Sequence, residues 1–170
     1  MIGKMKNLRE LFEVELQYAY DCEQKLVDKG LPSMIEHASS TELRNALEHH
    51  LGETRGHAAR LERIFAAIGA EPKTTTNEVI DQMMKAAKDS VAHIEDSPLR
   101  DTALIANANI VEHYEIGLYG TLASYARALG LKEVVASLEQ TLAEEKAADA
   151  KLTQLGETSM NAKAARYSAA

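Results

Sequence analysis

Apolar residues recur along this chain at three- and four-residue spacing, the period of a helix with one buried face. Leu8, Leu11, Phe12, Ala19, Cys22 and Leu26 form the first stripe and predict a helix over residues 7–27. Lys29-Gly30-Leu31-Pro32 predicts a break after it, because glycine and proline are both poor in helix interiors. The second stripe is Leu43, Ala46, Leu47, Leu61, Ile64, Phe65 and Ile68. It starts near Ser39 or Ser40, where Ser39-x-x-Glu42 reads as a capping box, and it stops at Gly69. A loop containing Pro72 leads to a connecting helix over residues 77–94, opened by Thr75-x-x-Glu78 and lined by Val79, Ile80, Met83, Met84, Ala87 and Val91. The face of this connector carries no acid, which marks it as a crossover that packs. A third helix opens at Ser97-Pro98, a cap followed by proline at the first helical position, and runs to Leu129 before Gly130. The fourth covers residues 131–155, with Val134, Leu138, Leu142, Leu152 and Leu155 inward, and ends at Gly156.

Four long helices, arranged as two helix–loop–helix pairs around one long crossover, have the connectivity of a ferritin-like antiparallel four-helix bundle. The expected fold class is therefore all-α, with residues 1–156 as the bundle and the small, polar residues 157–170 as a flexible tail.

The stripes are interrupted by residues that do not belong in oil. Glu15 lies on the first; His50, Glu53 and His57 on the second; Glu112 and Glu115 on the third; Glu145 and Asp149 on the fourth. At 100° per residue, Glu15 falls about 20° from Leu8, His50 about 20° and His57 about 40° from Leu43, and Glu145 and Asp149 each about 20° from Leu138. Glu112 is about 20° from Ile105, while Glu53 and Glu115 sit on the shoulders of their stripes at about 80°. Heights agree too. Glu15 and Glu53 are centred on position 34, close to Pro32, and Glu115 and Glu145 on position 130, the glycine stop. One such acid is a boundary residue, and one such histidine is an ordinary core residue. Six acids on four helices at matched heights need cations to hold them, because uncompensated buried carboxylates are rarely tolerated. Oxygen and imidazole donors without cysteine suit two iron or manganese ions better than one zinc ion. Glu42, Glu48, Glu62, Glu139 and Glu144 point elsewhere and read as a solvated face.

Several segments resemble the ferritin-like superfamily, and more narrowly the bacterial YciF/YciE-type stress proteins. They are Leu11-Phe12 with Glu15-Leu16 and Tyr20-Asp21, His50-Leu51-Gly52-Glu53-Thr54, Val111-Glu112-His113-Tyr114-Glu115-Ile116 with Tyr119-Gly120-Thr121, and Leu142-Ala143-Glu144-Glu145-Lys146. The match spans residues 6–156, and the Val-Glu-His-Tyr-Glu segment is its most specific part. The superfamily pattern places one Glu on each of two helices and Glu-x-x-His on each of the other two. The resemblance implies Glu15 and Glu112 or Glu115 as single carboxylates, and Glu53 and Glu145 as bridging candidates. The chain departs from the pattern. Gly56 stands three after Glu53, so the histidine is His50 or His57; helix 4 offers Asp149 and no histidine; helix 3 adds Glu115.

Charge and composition narrow the function further. A net charge of −7 argues against a general nucleic-acid binder. One cysteine, Cys22, excludes an internal disulfide and a cysteine zinc site. No apolar stretch has membrane-spanning length and MIGKMKNLRE lacks an apolar signal core, so a cytoplasmic protein is expected. Leu104, Val111 and Leu118, beside the acidic face, predict burial between two copies in a homodimer. The expected function is stress defence through iron, peroxide or oxygen chemistry at a two-metal site. Its rivals are a structural or interaction bundle with a degenerate metal site, and a dimanganese catalase-like enzyme. Tyr18, Tyr114 and Tyr119 lie near the stripe as donors to the site or as core packing.

Overall fold

The computed structural model describes residues 4–94 and 97–167. Among them there are helices and no strands. The elements are α1 (Leu8–Lys25), a π-helical turn (Leu26–Gly30), α2 (Leu31–His37), α3 (Thr41–Ala67), α4 (Glu78–Ala92), α5 (Pro98–Ala128), α6 (Lys132–Leu155), a second π-helical turn (Gly156–Met160) and α7 (Asn161–Arg166). The fold is the expected all-α, ferritin-like bundle. The continuous α1–α2 rod, α3, α5 and the α6–α7 rod form it, and α4 is the crossover.

Local chemistry sets most of the ends. The Asn7 side chain accepts from the Glu10 amide at 2.9 Å and caps α1. Ser40 is the cap of α3, its hydroxyl accepting from the Leu43 amide. Asn77, not Thr75, caps the crossover by accepting from the Ile80 amide; the Thr75 hydroxyl instead donates to Gln17 at 2.6 Å. Gly69 and Gly130 carry positive φ of 72° and 73°. This left-handed turn lets the next residue's N–H reach back to the helix: Ala70 to Phe65 O at 2.9 Å and Leu131 to Ala126 O at 3.0 Å.

Two expected stops are not stops. The chain stays helical through Lys29–Pro32, because the π turn absorbs the proline. Leu31 N–H bonds five residues back to Leu26 O, and Pro32 falls in the first turn of α2, where its missing N–H costs nothing. The true turn is Ala38–Ser40. Gly156 likewise continues as a π turn, with Asn161 N–H bonding Gly156 O. Residues 157–166, expected as a loose tail, thus extend the fourth helix, and Met160 is buried in the core. Residues 168–170 of that tail lie outside the described residues. The side chains expected to form a dimer face are also largely spent inside one chain: Leu104 and Leu118 are 3% and 8% exposed.

The apolar core is divided. Phe12, Leu16, Phe65, Leu122 and Leu138 fill one half. Leu26, Leu43, Leu47, Leu104, Leu152 and Met160 fill the other. On α1, α3, α5 and α6 alike, the positions between the two halves are polar and buried.

Asp101 ties this frame at the α2–α3 turn. Its carboxylate is buried and accepts from the amides of Ser39 at 2.7 Å and Ser40 at 2.9 Å. Asp101→Ala strands both donors and should cost about 1–3 kcal/mol. Urea unfolding monitored by far-UV circular dichroism measures this, with Asp101→Asn expected to lose less.

Candidate metal centre

The polar layer between the two cores is built from all four long helices. α1 delivers Glu23, α3 delivers His50 and His57 two turns apart, α5 delivers Glu112 and Glu115, and α6 delivers Glu145. All are buried, with Glu23 and Glu145 at 0% exposure.

Donor atoms converge in two groups. His50, Glu112, Glu115 and Glu145 form one, and Glu23, His57 and Glu145 the other. Glu145 belongs to both. Its Oε2 lies 3.7 Å from His50 Nε2, and its Oε1 lies 3.0 Å from His57 Nδ1. His50 Nε2 is also 3.2 Å from Glu112 Oε1, and His57 Nδ1 is 3.7 Å from Glu23 Oε1.

Each imidazole is held from behind by a second carboxylate. His50 Nδ1 meets Glu53 Oε2 at 3.3 Å, and His57 Nε2 meets Glu144 Oε2 at 2.9 Å. Glu144 is itself clamped by both terminal nitrogens of Arg60, at 2.9 and 3.2 Å. A cation in the centre would displace the inner proton of each imidazole, leaving the outer nitrogen protonated and the inner lone pair facing the cation, the arrangement of metal-binding histidines.

The centre is electrostatically unsettled without cations. Burial, then the charges of Glu145, Glu23 and Glu112, pushes the Glu115 carboxyl well above the usual range. Burial also raises Glu23 and Glu145. Burial alone would lower the pKa of His57, but hydrogen bonding and charge from Glu145 and Glu23 outweigh it and push it up to about 10. His50 is raised for the same reason, through Glu112 and Glu53. Hydrogen bonds do not complete the site. Glu23 Oε2, Glu112 Oε2, Glu115 Oε2 and Glu145 Oε2 are buried without a hydrogen-bond partner, and Glu145 Oε1 and His57 Nδ1, 3.0 Å apart, bond to no other group. Burying such atoms costs free energy unless something binds them. Four carboxylates with two neutral imidazoles carry four negative charges, which two divalent ions would neutralise. The donor set of carboxylates and imidazoles is thus one that could hold metal cations.

Of the eight residues expected from sequence, His50, His57, Glu112, Glu115 and Glu145 meet in this layer. Glu53 stands behind His50, with 28% of its side chain exposed. Asp149 lies one turn beyond Glu145 and faces the exposed His113 at 3.3 Å. Glu15 is outside the cluster, on the wall of a surface cavity with Tyr18, Asn77 and Tyr114. Two residues were missed. Glu23 falls between Phe12 and Leu16 on the helical face, seven residues after Leu16, so the stripe marked it. Glu144, expected on a solvated face, supports His57 instead. Tyr119 is buried and its hydroxyl donates to Glu23 Oε1, while Cys22 Sγ lies 3.7 Å from Glu115 Oε1.

Residues 7–165 match the family model of DUF892, described as a domain of unknown function. The chain belongs to the DUF892 family. It is 35% identical over 161 residues to protein YciF of Escherichia coli, covering 94% of this chain and 96% of that protein. The solved structure of YciF, described as an E. coli stress protein, superposes with a TM-score of 0.87 over 92% of this chain and 99% of its own, at 34% identity. YcfI of Rhodopseudomonas palustris, proposed to be structural, superposes with a TM-score of 0.87 at 37% identity, over 90% of this chain and 97% of its own. The resemblance to YciF-type proteins read from the sequence is thus confirmed for this DUF892 member. No helix among the described residues is long and apolar enough to cross a membrane.

Glu115 offers a direct test of the crowded charge. In metal-free protein at neutral pH, Glu115→Gln removes a carboxyl that its neighbours repel. The melting temperature should hold or rise by a few degrees, at about 2–4 °C per kcal/mol for a chain of this size. A fall of several degrees in a thermal melt with chelator would mean that the carboxylate is well satisfied.

Proposed function

We propose that this protein is a cytoplasmic stress-response protein whose bundle holds two iron or manganese ions and uses them in iron, peroxide or oxygen chemistry. One observation carries the reading: Glu145, fully buried, belongs to both groups of ligand-type atoms, with one oxygen toward His50 and the other toward His57. Glu145 is the bridging carboxylate in this reading. Glu23 takes the place expected for Glu15 on the first helix, and His50, His57, Glu112 and Glu115 complete the set. Glu53 and Glu144 orient the imidazoles, and Asp149 stays outside. The description of YciF as a stress protein supports the physiological part.

Bound at these residues, the ions would supply reversible one-electron exchange and Lewis acidity. The residues of the chain supply the rest. The two half-cores exclude bulk water from the layer, which strengthens each charge interaction there. Tyr119 holds a proton against Glu23 Oε1, and the Arg60–Glu144 pair fixes the ring plane of His57. A non-enzymatic bundle is the second reading, favoured by the structural role proposed for YcfI. A homodimer fits either, but its interface needs side chains other than Leu104 and Leu118.

Thermal melts with and without Fe(II) or Mn(II), joined to elemental analysis, test the reading. Metal at 100 times its dissociation constant should stabilise the wild type by about 2.7 kcal/mol, an upward shift of roughly 5–10 °C. Glu145→Ala should abolish the shift and lower the metal content from two ions per chain, whereas Glu15→Ala should keep both. Equal shifts in all three proteins, or none, would return the protein to the structural reading. Peroxide consumption by metal-loaded wild type then separates a catalytic centre from a storage one.

A further inference from the structure

The buried layer comes close to the surface on one side. A cavity of about 690 Å³ opens between α3 and α6, with His50 and Glu53 at its inner end, His49 and Glu42 on one wall, and Ala148 and Lys151 on the other. Glu23, His57, Glu112, Glu115 and Glu145 do not line it. His50 is the partition. Its Nδ1 meets Glu53 on the cavity side, while its Nε2 meets Glu112 inside. Glu53 divides its oxygens in the same sense. Oε2 goes to the buried His50, and Oε1 lies 3.4 Å from Nε2 of His49, whose side chain is 78% exposed.

We propose that this groove is the path by which a divalent cation reaches the buried centre, with Glu53 and His49 as the docking pair and the His50 ring as the swinging partition. The inference rests on the two-metal reading. The apolar part of the lining, Leu47, Ala148 and Leu152, offers a cation no resting place, so the favourable stations are Glu42, Glu53 and the carboxylates behind His50. Glu53 lines the groove with 28% of its side chain exposed, so its carboxylate meets an incoming cation before the buried acids do and draws it inward. Lys151 on the opposite wall opposes that pull. A larger cavity of about 1100 Å³, beside Glu15, is a poorer path. There the Asn77 amide donates to the Tyr114 hydroxyl at 2.7 Å and to Tyr18 O at 3.1 Å, closing its inner side.

The test uses the full chain, stripped of metal, with Co(II) as the probe. Stopped-flow absorbance gives the uptake rate, and equilibrium dialysis gives the final content. Ala148→Phe fills the groove, and Val79→Phe fills the larger cavity as a control. Ala148→Phe should slow uptake at least ten-fold and leave the final content unchanged, while Val79→Phe should do neither. Lys151→Gln should speed uptake. In case Ala148→Phe does not fold, Ala147→Cys alkylated with a bulky maleimide plugs the groove of an already folded chain. Cys22 is fully buried and its thiol is held well above its usual pKa, so the label goes to position 147. Uptake at the wild-type rate in the plugged protein, or equal slowing by Val79→Phe, overturns the path and leaves the two-metal reading intact. Wild type that takes up no Co(II) overturns both.

Discussion

The architecture turns on one carboxylate sealed from the surface. Glu145 sits at the centre of the bundle with an oxygen toward each of two imidazoles. An ionised group in that position needs positive charge on both sides. The two histidines supply it only if their far nitrogens are also held, and Glu53 and the Arg60-clamped Glu144 hold them. Two lines of polar contact, Glu53–His50 and Arg60–Glu144–His57, therefore run into the middle, and each ends on the same side chain. Every helix of the bundle contributes to the balance, so the register of α1, α3, α5 and α6 is coupled through it.

The division of the core follows from the same constraint. Leucines cannot share a layer with four acids, so the apolar residues collect above and below it. The crossover docks on the frame so formed. Ile80 is buried in one half-core. Asn77 joins α4 to α1 and α5: its side chain accepts from the Ile80 amide and donates to Tyr18 O and the Tyr114 hydroxyl, its backbone N–H donates to Asp21, and its carbonyl accepts from Lys25. This leaves the layer free of any contribution from α4, in keeping with a connector whose apolar face carries no acid.

Helix content, the helix starts near Ser40 and at Ser97–Pro98 and the glycine turns at Gly69 and Gly130 were legible in the sequence, because they depend on short-range chemistry, though the capping serine is Ser40 and not Ser39 of the expected capping box. His50, Glu112 and Glu145 were legible because they fall close to the centre of their stripes. Glu23 was not chosen, and the cause is geometric. Residues level with one another in a hairpin are set by the position of the turn. With a turn at Pro32, Glu53 faces Glu15; with the turn at Ala38–Ser40, the segment facing Glu53–His57 is about residues 21–25, which contains Glu23. A proline that reads as a break, but is absorbed by a π turn, thus misplaced the partner by two helical turns. Glu144 escaped for a different reason. Its direction is solvent-facing on its own helix, and only the neighbouring α3 turns it into a support for His57. That is long-range information which no single stripe contains.

The π turn at Leu26–Gly30 also has a genealogical side. A turn of this kind holds one residue more than the α-helical path it replaces. It lies between Glu23 and the α2–α3 corner, so loss or gain of that residue changes chain length without moving Glu23 relative to the start of α1. Two relatives that share the buried layer can therefore differ by one position in this stretch, and an alignment forced to run without a gap there would set acids that do the same work against different residues.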